Sequence, residues 1–328
     1  MGGGGIWAKY VNDFKARVIA DGGTMESPSC LKTDVRFLVD NPEPVPVPAF
    51  TGLLNDYSGA AAAYSLRLLD NTYTGDAIRV RRSSDNAEQN IGFLNNELDT
   101  ASLESFCSGT DGFVAIWYDQ SGNAANAANA TASSQPKIVA SGSTILENGK
   151  AAILSDEDYL ENLTKTASST ATLFMVHKGN SDGATNVSVA GFPANSYAAH
   201  IGLYFWEQDV ADPFGFNVWQ GDSWGYSNAK SDFDSQSLWS ALFKEGNITT
   251  SGVKLFRNGT EKTLSQERGN STANRTIDDG VYIGRGGSIT GNQEGDGWYQ
   301  EIVVWDNDYS LTNRSGIETN INDHYSIY

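Results

Sequence analysis

Glycine, asparagine and aspartate cut this chain into short apolar runs, and that punctuation limits its folds more than any other feature. Ile78-Arg-Val-Arg-Arg82 alternates apolar and polar residues. Gly112-Phe-Val-Ala-Ile-Trp-Tyr118, Thr170-Ala-Thr-Leu-Phe-Met-Val-His177 and Leu238-Trp-Ser-Ala-Leu-Phe243 are more continuously apolar. Val253-Lys-Leu-Phe-Arg257 runs into Asn258-Gly259, a tight-turn pair, and then into Thr260 to Leu264. Val281-Tyr-Ile-Gly284 and Trp298-Tyr-Gln-Glu-Ile-Val-Val-Trp305 complete the series. Short strands at regular spacing bury a core only by pairing edge to edge and stacking face to face. The chain is therefore expected to be mainly β, an antiparallel sandwich.

Two helices are expected to interrupt the strands, one over Gly59 to Leu69 and a C-terminal one from about Thr312 to His324. Asn123 to Ser134 is rich in small residues and reads as a surface loop. Ahead of the strands lies a different kind of sequence. Residues 2–5 are a glycine tip. From Ile6 to Ala20, Ile6, Tyr10, Phe14 and Val18 recur at helical spacing, and Asp21-Gly22-Gly23 supplies a stop. Asn41-Pro-Glu-Pro-Val-Pro-Val-Pro48 can form neither helix nor inner strand and reads as a stiff spacer. The expected organisation is an arm over 1–48, with a helix at about 6–20 and the proline spacer at 41–48, followed by one sandwich over 49–328.

Charge narrows the partners. Lys plus Arg number 22 against 40 Asp plus Glu, a net charge of −18. Such a surface repels nucleic acid and anionic membranes, so neither is expected as a partner. No run reaches the roughly 18 apolar residues of a membrane span. Met1 is followed by four glycines and not by a basic region and an apolar run, so no signal peptide is expected. Cys30 and Cys107 are read as free thiols of a reducing compartment.

The body carries a resemblance. Ala63-Tyr-Ser-Leu-Arg67, Ile78-Arg-Val-Arg-Arg-Ser-Ser-Asp85, Asp99-Thr-Ala-Ser-Leu-Glu-Ser-Phe-Cys107 and Ile116-Trp-Tyr-Asp-Gln-Ser-Gly-Asn123 occur in that order. Together they resemble the catalytic domain of fungal arabinofuranosidase B, glycoside hydrolase family 54. The likeness covers about residues 58–155 and resumes weakly at Ile283 to Gly287 and Trp298 to Tyr325. It implies a concanavalin A-like (laminin G-like) sandwich. A retaining glycosidase needs two carboxyls about 5 Å apart. The resemblance puts the nucleophile at Gly202, in His200-Ile-Gly-Leu-Tyr204, and the acid/base at Ser288, after Ile283-Gly-Arg-Gly-Gly287. Neither is a carboxyl, so no catalytic residue is assigned and activity leans towards absent. Glu207, Asp209, Glu294 and Asp296 lie close by in sequence as substitutes.

The arm has its own resemblance. Tyr10 to Leu31, with Ala20-Asp-Gly-Gly-Thr-Met-Glu26 and Ser29-Cys-Leu31, is similar to segments of tailed-phage structural proteins. That implies a virion protein, a tail fibre or other surface component, assembled in host cytoplasm. The arm would hold other virion proteins, and the chain would be a homo-oligomer, a trimer being favoured.

Candidate ligand groups crowd one segment, where Tyr204, Phe205, Trp206, Phe214, Phe216, Trp219, Trp224 and Tyr226 surround Glu207, Asp209 and Asp222. Flat rings stack on sugars while carboxylates accept hydroxyl protons. Trp206, Glu207, Trp219, Asp222, Trp224 and Tyr226 are the expected glycan-binding set, against the competing reading of a packed core with no ligand. Three function readings follow: a lectin-like virion protein, an arabinofuranosidase-like hydrolase and a purely structural decoration protein.

Other motifs read as structure. Gly221-Asp-Ser-Trp-Gly225 fits a nucleophile elbow, but no helical period follows it, so it is read as a turn. Gly284-Arg-Gly-Gly287 lacks the helix of a phosphate loop. His177, His200 and His324 are scattered, which argues against zinc. No cofactor is expected. Calcium at Asp232-Phe-Asp234 or Asp306-Asn-Asp308 is left open beside the commoner reading of solvated turns.

Overall fold

The computed structural model describes Phe50 to Tyr328 apart from 165–166, 168, 181–186, 193–200, 206–212, 219–221, 249–251, 269–273, 276, 278–279, 286–294 and 310–311. The arm with its phage-like segment, Cys30, and the aromatic and acidic residues at 206–212 and 219 lie outside the described residues.

Every paired strand is antiparallel, and the strands form two layers. In the first, the long strands Thr170–Gly179 and Gly297–Trp305 lie side by side, in register from Thr172↔Trp305 to Gly179↔Gly297 with one irregularity at Val176/His177. Ser237–Lys244 flanks Thr170–Gly179 on its other edge, followed by Lys254–Arg257. Ala62–Ser65 and Ile153–Ser155 pair with the far edge of Gly297–Trp305. In the second layer, Val187–Phe192, Ile201–Phe205, Phe214–Val218, Asp222–Tyr226 and Ser265–Arg268 follow one another. Tyr282–Ile283 links them, through Leu160–Glu161 and Ala127–Ala128, to Gly112–Trp117, Ile78–Arg82 and Glu88–Ile91. Lys137–Ala140 touches both layers, pairing with Gly112–Trp117 and with Leu154.

Period-two alternation divides the side chains. Leu173, Met175, Ile302 and Val304 from the first layer meet Val80, Val114, Trp117, Leu203, Phe205, Phe214 and Phe216 from the second in one core. The opposite face of the first layer presents Phe174, Val176, Leu238, Val303 and Trp305 to the helix Arg314–Tyr325, which buries Ile317, Ile321 and Tyr325 at four-residue spacing. The fold is the expected mainly β antiparallel sandwich with a C-terminal helix.

Three local expectations change, and one helix appears that was not expected. Gly59 to Leu69 holds no helix: Ala62–Ser65 is a fully buried strand paired with Gly297–Trp305. Its small and aromatic residues suit helix or strand, and a vacant sheet edge decided it. A helix forms instead at Thr100–Phe106, where the Asp99 carboxylate accepts the Ser102 backbone N–H at 3.0 Å as an N-cap. The turn expected at Gly221 to Gly225 is a strand from Asp222 on, since Asp222–Tyr226 has partners on both edges, while Gly221 lies outside the described residues. Asn123 to Ser134 is not all surface, for Ala125, Ala127 and Asn129 are buried and Ala127–Ala128 pairs in the sheet. No described helix is long and apolar enough to cross a membrane. Cys107 is buried and free, with burial pushing its thiol up.

Candidate functional site

Gly202 is the described position where the resemblance would put a nucleophile. It lies mid-strand, opposite Gly191 on one side and Asn217 on the other. Ile201, Leu203 and Phe205 point into the inter-layer core, so Gly202 and Tyr204 take the other face. The glycines are required by close approach: a Cβ on Gly191 would come 2.6 Å from the Gly202 Cα, and one on Gly202 would sit 3.3 Å from the Ala190 carbonyl. The strand therefore carries no carboxylate at this buried position. Ser288 lies outside the described residues.

Of the expected glycan-binding set, Trp206, Glu207 and Trp219 lie outside the described residues, and Asp222 is described in its backbone alone. Trp224 stands opposite Phe216, and Tyr226 opposite Phe214. Cross-strand partners share a face, so both rings pack against the same core as Phe214 and Phe216. The Tyr226 hydroxyl is 3.0 Å from Asp232 Oδ2, and Lys262 Nζ sits 4.6 Å from its ring centroid. Asp232 in turn faces Lys262 at 2.6 Å and Arg257 at 2.8 Å, so cations already occupy a carboxylate considered for calcium. Asp308 pairs with Lys244 at 3.0 Å. Among the described residues no cluster of three or more His, Cys, Asp or Glu could hold a metal.

A different group of carboxyls comes together around Asp296. Just before it the Gly295 N–H donates to the Gly284 carbonyl at 2.7 Å, and just after it the Gly297–Trp305 strand begins. Gly295 and Asp296 are latched to Ser155-Asp-Glu-Asp-Tyr159. Ser155 Oγ is 2.6 Å from the Gly295 carbonyl oxygen, and the Glu157 backbone N–H donates to Asp296 Oδ1 at 2.9 Å. Glu157 adopts φ +58°, a left-handed conformation uncommon outside glycine and asparagine. Asp296 is half-buried, and its carboxyl is raised above the usual aspartate value. Burial is the largest cause, the Glu157 N–H opposes it, and the charges of Asp156 and Glu157 add to it. Close by, the Arg285 guanidinium lies 4.3 Å from the Tyr159 ring centroid. One half-buried carboxyl held towards its acid form beside two other carboxyls is an arrangement suited to general acid chemistry. Asp296 was among the sequence substitutes. Asp156, Glu157 and Tyr159 were not, although the acidic run ending in an aromatic was a visible signal.

The Tyr118-Asp-Gln-Ser-Gly-Asn123 string turns out to brace the fold. Asp119 accepts four hydrogen bonds: from Ala63 N–H at 2.8 Å, Ser121 N–H at 2.9 Å, Ser121 Oγ at 2.7 Å and Ala125 N–H at 3.0 Å. Gln120 accepts from Leu69 N–H at 2.8 Å and donates to the Ser65 and Arg67 carbonyls at 3.1 and 3.0 Å. The string thus ties the end of Gly112–Trp117 to the Ala62–Ser65 strand.

Comparison with known proteins gives the same relationship by two routes. Residues 56–158 match the family described as "Alpha-L-arabinofuranosidase B, catalytic". The body resembles the arabinofuranosidase B catalytic domain. A probable alpha-L-arabinofuranosidase B of Aspergillus terreus is 42% identical over 64 residues, 19% of this chain and 13% of that protein. Among solved structures, a mutant GH54 α-L-arabinofuranosidase soaked with 4-nitrophenyl α-L-arabinofuranoside superposes with a TM-score of 0.58 at 15% identity. Another, soaked with a cyclic sulfate inhibitor, gives 0.55 at 15%, and an arabinofuranosidase complexed with arabinofuranosyl-α-1,2-xylobiose gives 0.54 at 14%. Each match covers 80% of this chain and 62% of the other, so the chain spans about three fifths of these structures' length. At these identities the structural likeness establishes an arabinofuranosidase-like glycoside hydrolase fold.

Proposed function

We propose that this chain is an arabinofuranosidase-like glycoside hydrolase in which Asp296 is the acid group. The observation that carries this reading is the raised, half-buried Asp296 carboxyl, fixed by the Glu157 N–H beside Asp156 and Glu157. In the proposed reaction the Asp296 proton passes to the glycosidic oxygen as the bond to the anomeric carbon breaks. Asp156 or Glu157, ionised, takes a proton from a water molecule whose oxygen bonds to the anomeric carbon, so that the free sugar and the protonated leaving group are released. The arabinofuranoside substrate class is suggested by the names of the matching proteins.

The test is release of nitrophenol from 4-nitrophenyl α-L-arabinofuranoside by the full chain. Asp296→Asn should lower kcat/KM on the order of 10²- to 10⁴-fold, the usual contribution of a positioned acid. The wild-type rate should fall as pH rises through the raised Asp296 value. The same substitution removes a carboxylate that folding holds in an unfavourable environment, so neutral-pH stability should rise. An active Asp296→Asn chain rejects the assignment.

A second reading rests on Gly202, where the resemblance calls for a nucleophile and the strand carries no side chain. On this reading the protein recognises a glycan without cleaving it, as a lectin-like trimer displayed on a tailed-phage particle by its arm. Glycan binding without turnover, with the chain present in purified virions, would favour it.

A further inference from the structure

We infer that a cleft between two hairpins and the end of the C-terminal helix is a second binding site, built for a neutral sugar unit. One wall is the hairpin of Phe93–Leu94 and Glu97–Leu98, and the other is the hairpin of Leu146–Glu147 and Lys150–Ala151. His324 and Tyr325 close the end. Asn148 and Gly149, both at positive φ (+49° and +74°), make the tight turn that sets Lys150 opposite Glu147. Asn148 Nδ2 donates to the Tyr325 carbonyl at 2.8 Å and so fastens this wall to the helix end. The cavity holds about 360 Å³, within the range of roughly 300–1,000 Å³ typical of small-molecule sites.

The lining matches a sugar on two counts. Its floor is apolar, formed by Leu66, Leu98, Ala151 and Tyr325, while its rim carries Glu97, Lys150, His324 and Thr100. A sugar ring has the same division, with C–H groups on its faces and hydroxyls around its edge. The rim also carries no net charge. Lys150 Nζ pairs with Glu97 Oε1 at 2.8 Å. His324 Nε2 lies 3.6 Å from Glu97 Oε2, and its ring is held neutral at neutral pH. Burial is the largest cause, the Arg67 and Lys150 charges add to it, and those of Glu97 and Glu301 oppose it. An ionic ligand would meet no excess of opposite charge, whereas hydroxyls would meet a carboxylate, an ammonium and an imidazole able to donate and accept. Leu94 and Leu146 are 55% and 54% exposed, and one stands on each hairpin. Of the two, Leu146 lines the cleft, and its exposed surface is what a sugar's apolar face would cover. The site shares no lining residue with the Asp296 cluster and stands whether or not that cluster is catalytic.

Hydrogen exchange of the full chain, read on peptides spanning 93–100 and 146–151, tests the inference. Millimolar methyl β-D-xylopyranoside or methyl α-L-arabinofuranoside should slow exchange saturably in both peptides, and sodium acetate and glycine should not. Thr100→Phe, which fills the cleft, and Glu97→Gln, which removes its carboxylate, should each weaken the apparent Kd about tenfold or more. Both side chains reach solvent, so a thermal melt should show both variants folded, and either one alone is decisive. Asp296→Asn should keep the protection, which separates this site from the hydrolase reading. No protection by either glycoside, equal protection by acetate or glycine, or undiminished protection in the variants overturns the proposal.

Discussion

Asp119 is buried and Asp296 half-buried, and their surroundings give the two aspartates opposite roles. Four donors surround Asp119, so its charge is fully satisfied and holds backbone in place. Asp296 has the Glu157 backbone donor and two acidic neighbours, so burial and those charges disfavour its ionised form. The distinctive string around Asp119 could be read from sequence as a family mark, but its role could not. That depended on Ala63 and Ala125 bringing their N–H groups to the carboxylate. Asp119→Ala should strand these donors and lower stability by about 2–3 kcal/mol in urea unfolding, with little direct effect on any sugar-dependent signal. The buried pair of Arg67 Nε and Glu301 Oε2 at 2.7 Å follows the same logic. Burial penalises both charges, and the pair is retained because Ser65, Asn320 and Tyr325 complete its hydrogen bonds.

Among the elements, the C-terminal helix and the strand at Ala62–Ser65 show what local pattern can and cannot decide. Ile317, Ile321 and Tyr325 form a stripe that is helical in any context, and the helix lies where expected. Its stability comes from covering Phe174, Val176, Val303 and Trp305. Ile321→Ala should therefore cost about 2–4 kcal/mol by thermal or urea unfolding and leave the helix boundaries unchanged in hydrogen exchange. Ala62-Ala-Tyr-Ser65 has no such period. It became a strand because the outer edge of Gly297–Trp305 required a partner, a demand arising more than two hundred residues away. Trp224 and Tyr226, two rings of the expected platform, are half-buried against the core for a related reason. Trp224 and Tyr226 are two residues apart and must share a face, and pairing with Phe216 and Phe214 turned that face inward.

For the whole molecule, the acidic composition matters less than where titratable groups are buried. His177 is fully buried against Tyr299 and Phe233, with both ring nitrogens lacking a hydrogen-bond partner among the described residues. Burial lowers its value from 6.5 to about 3. Between those values the unfolded chain binds the proton and the folded chain does not, so stability is complete above 6.5 and drains away as pH falls towards 3. The loss amounts to something on the order of 5 kcal/mol. Glu301, lowered by Arg67 against the effect of burial, adds a second loss at lower pH, as its folded value is crossed. His177→Leu should flatten the pH 6.5 to 4 part of the stability curve in urea titrations and leave pH 7 stability equal or higher. An unchanged slope would remove His177 as its source.

The sequence by itself determined the class of fold, the strand positions along most of the body, the terminal helix and the arabinofuranosidase-like relationship. Each rests on local information: period-two apolar runs, Asn-Gly turns, a four-residue stripe and contiguous strings. Only the tertiary structure decided which residues meet. Asp296 joins Asp156 and Glu157 across about 140 residues of chain because Gly295 and Asp296 are latched to Ser155 and Glu157. Glu97, Lys150 and His324 line one cleft because two hairpins flank a helix end. Sheet pairing brings distant segments together, and pairing register turns a ring inward or outward. Neither is encoded at the site itself, so the chemistry of this chain became legible only after its strands had found their partners.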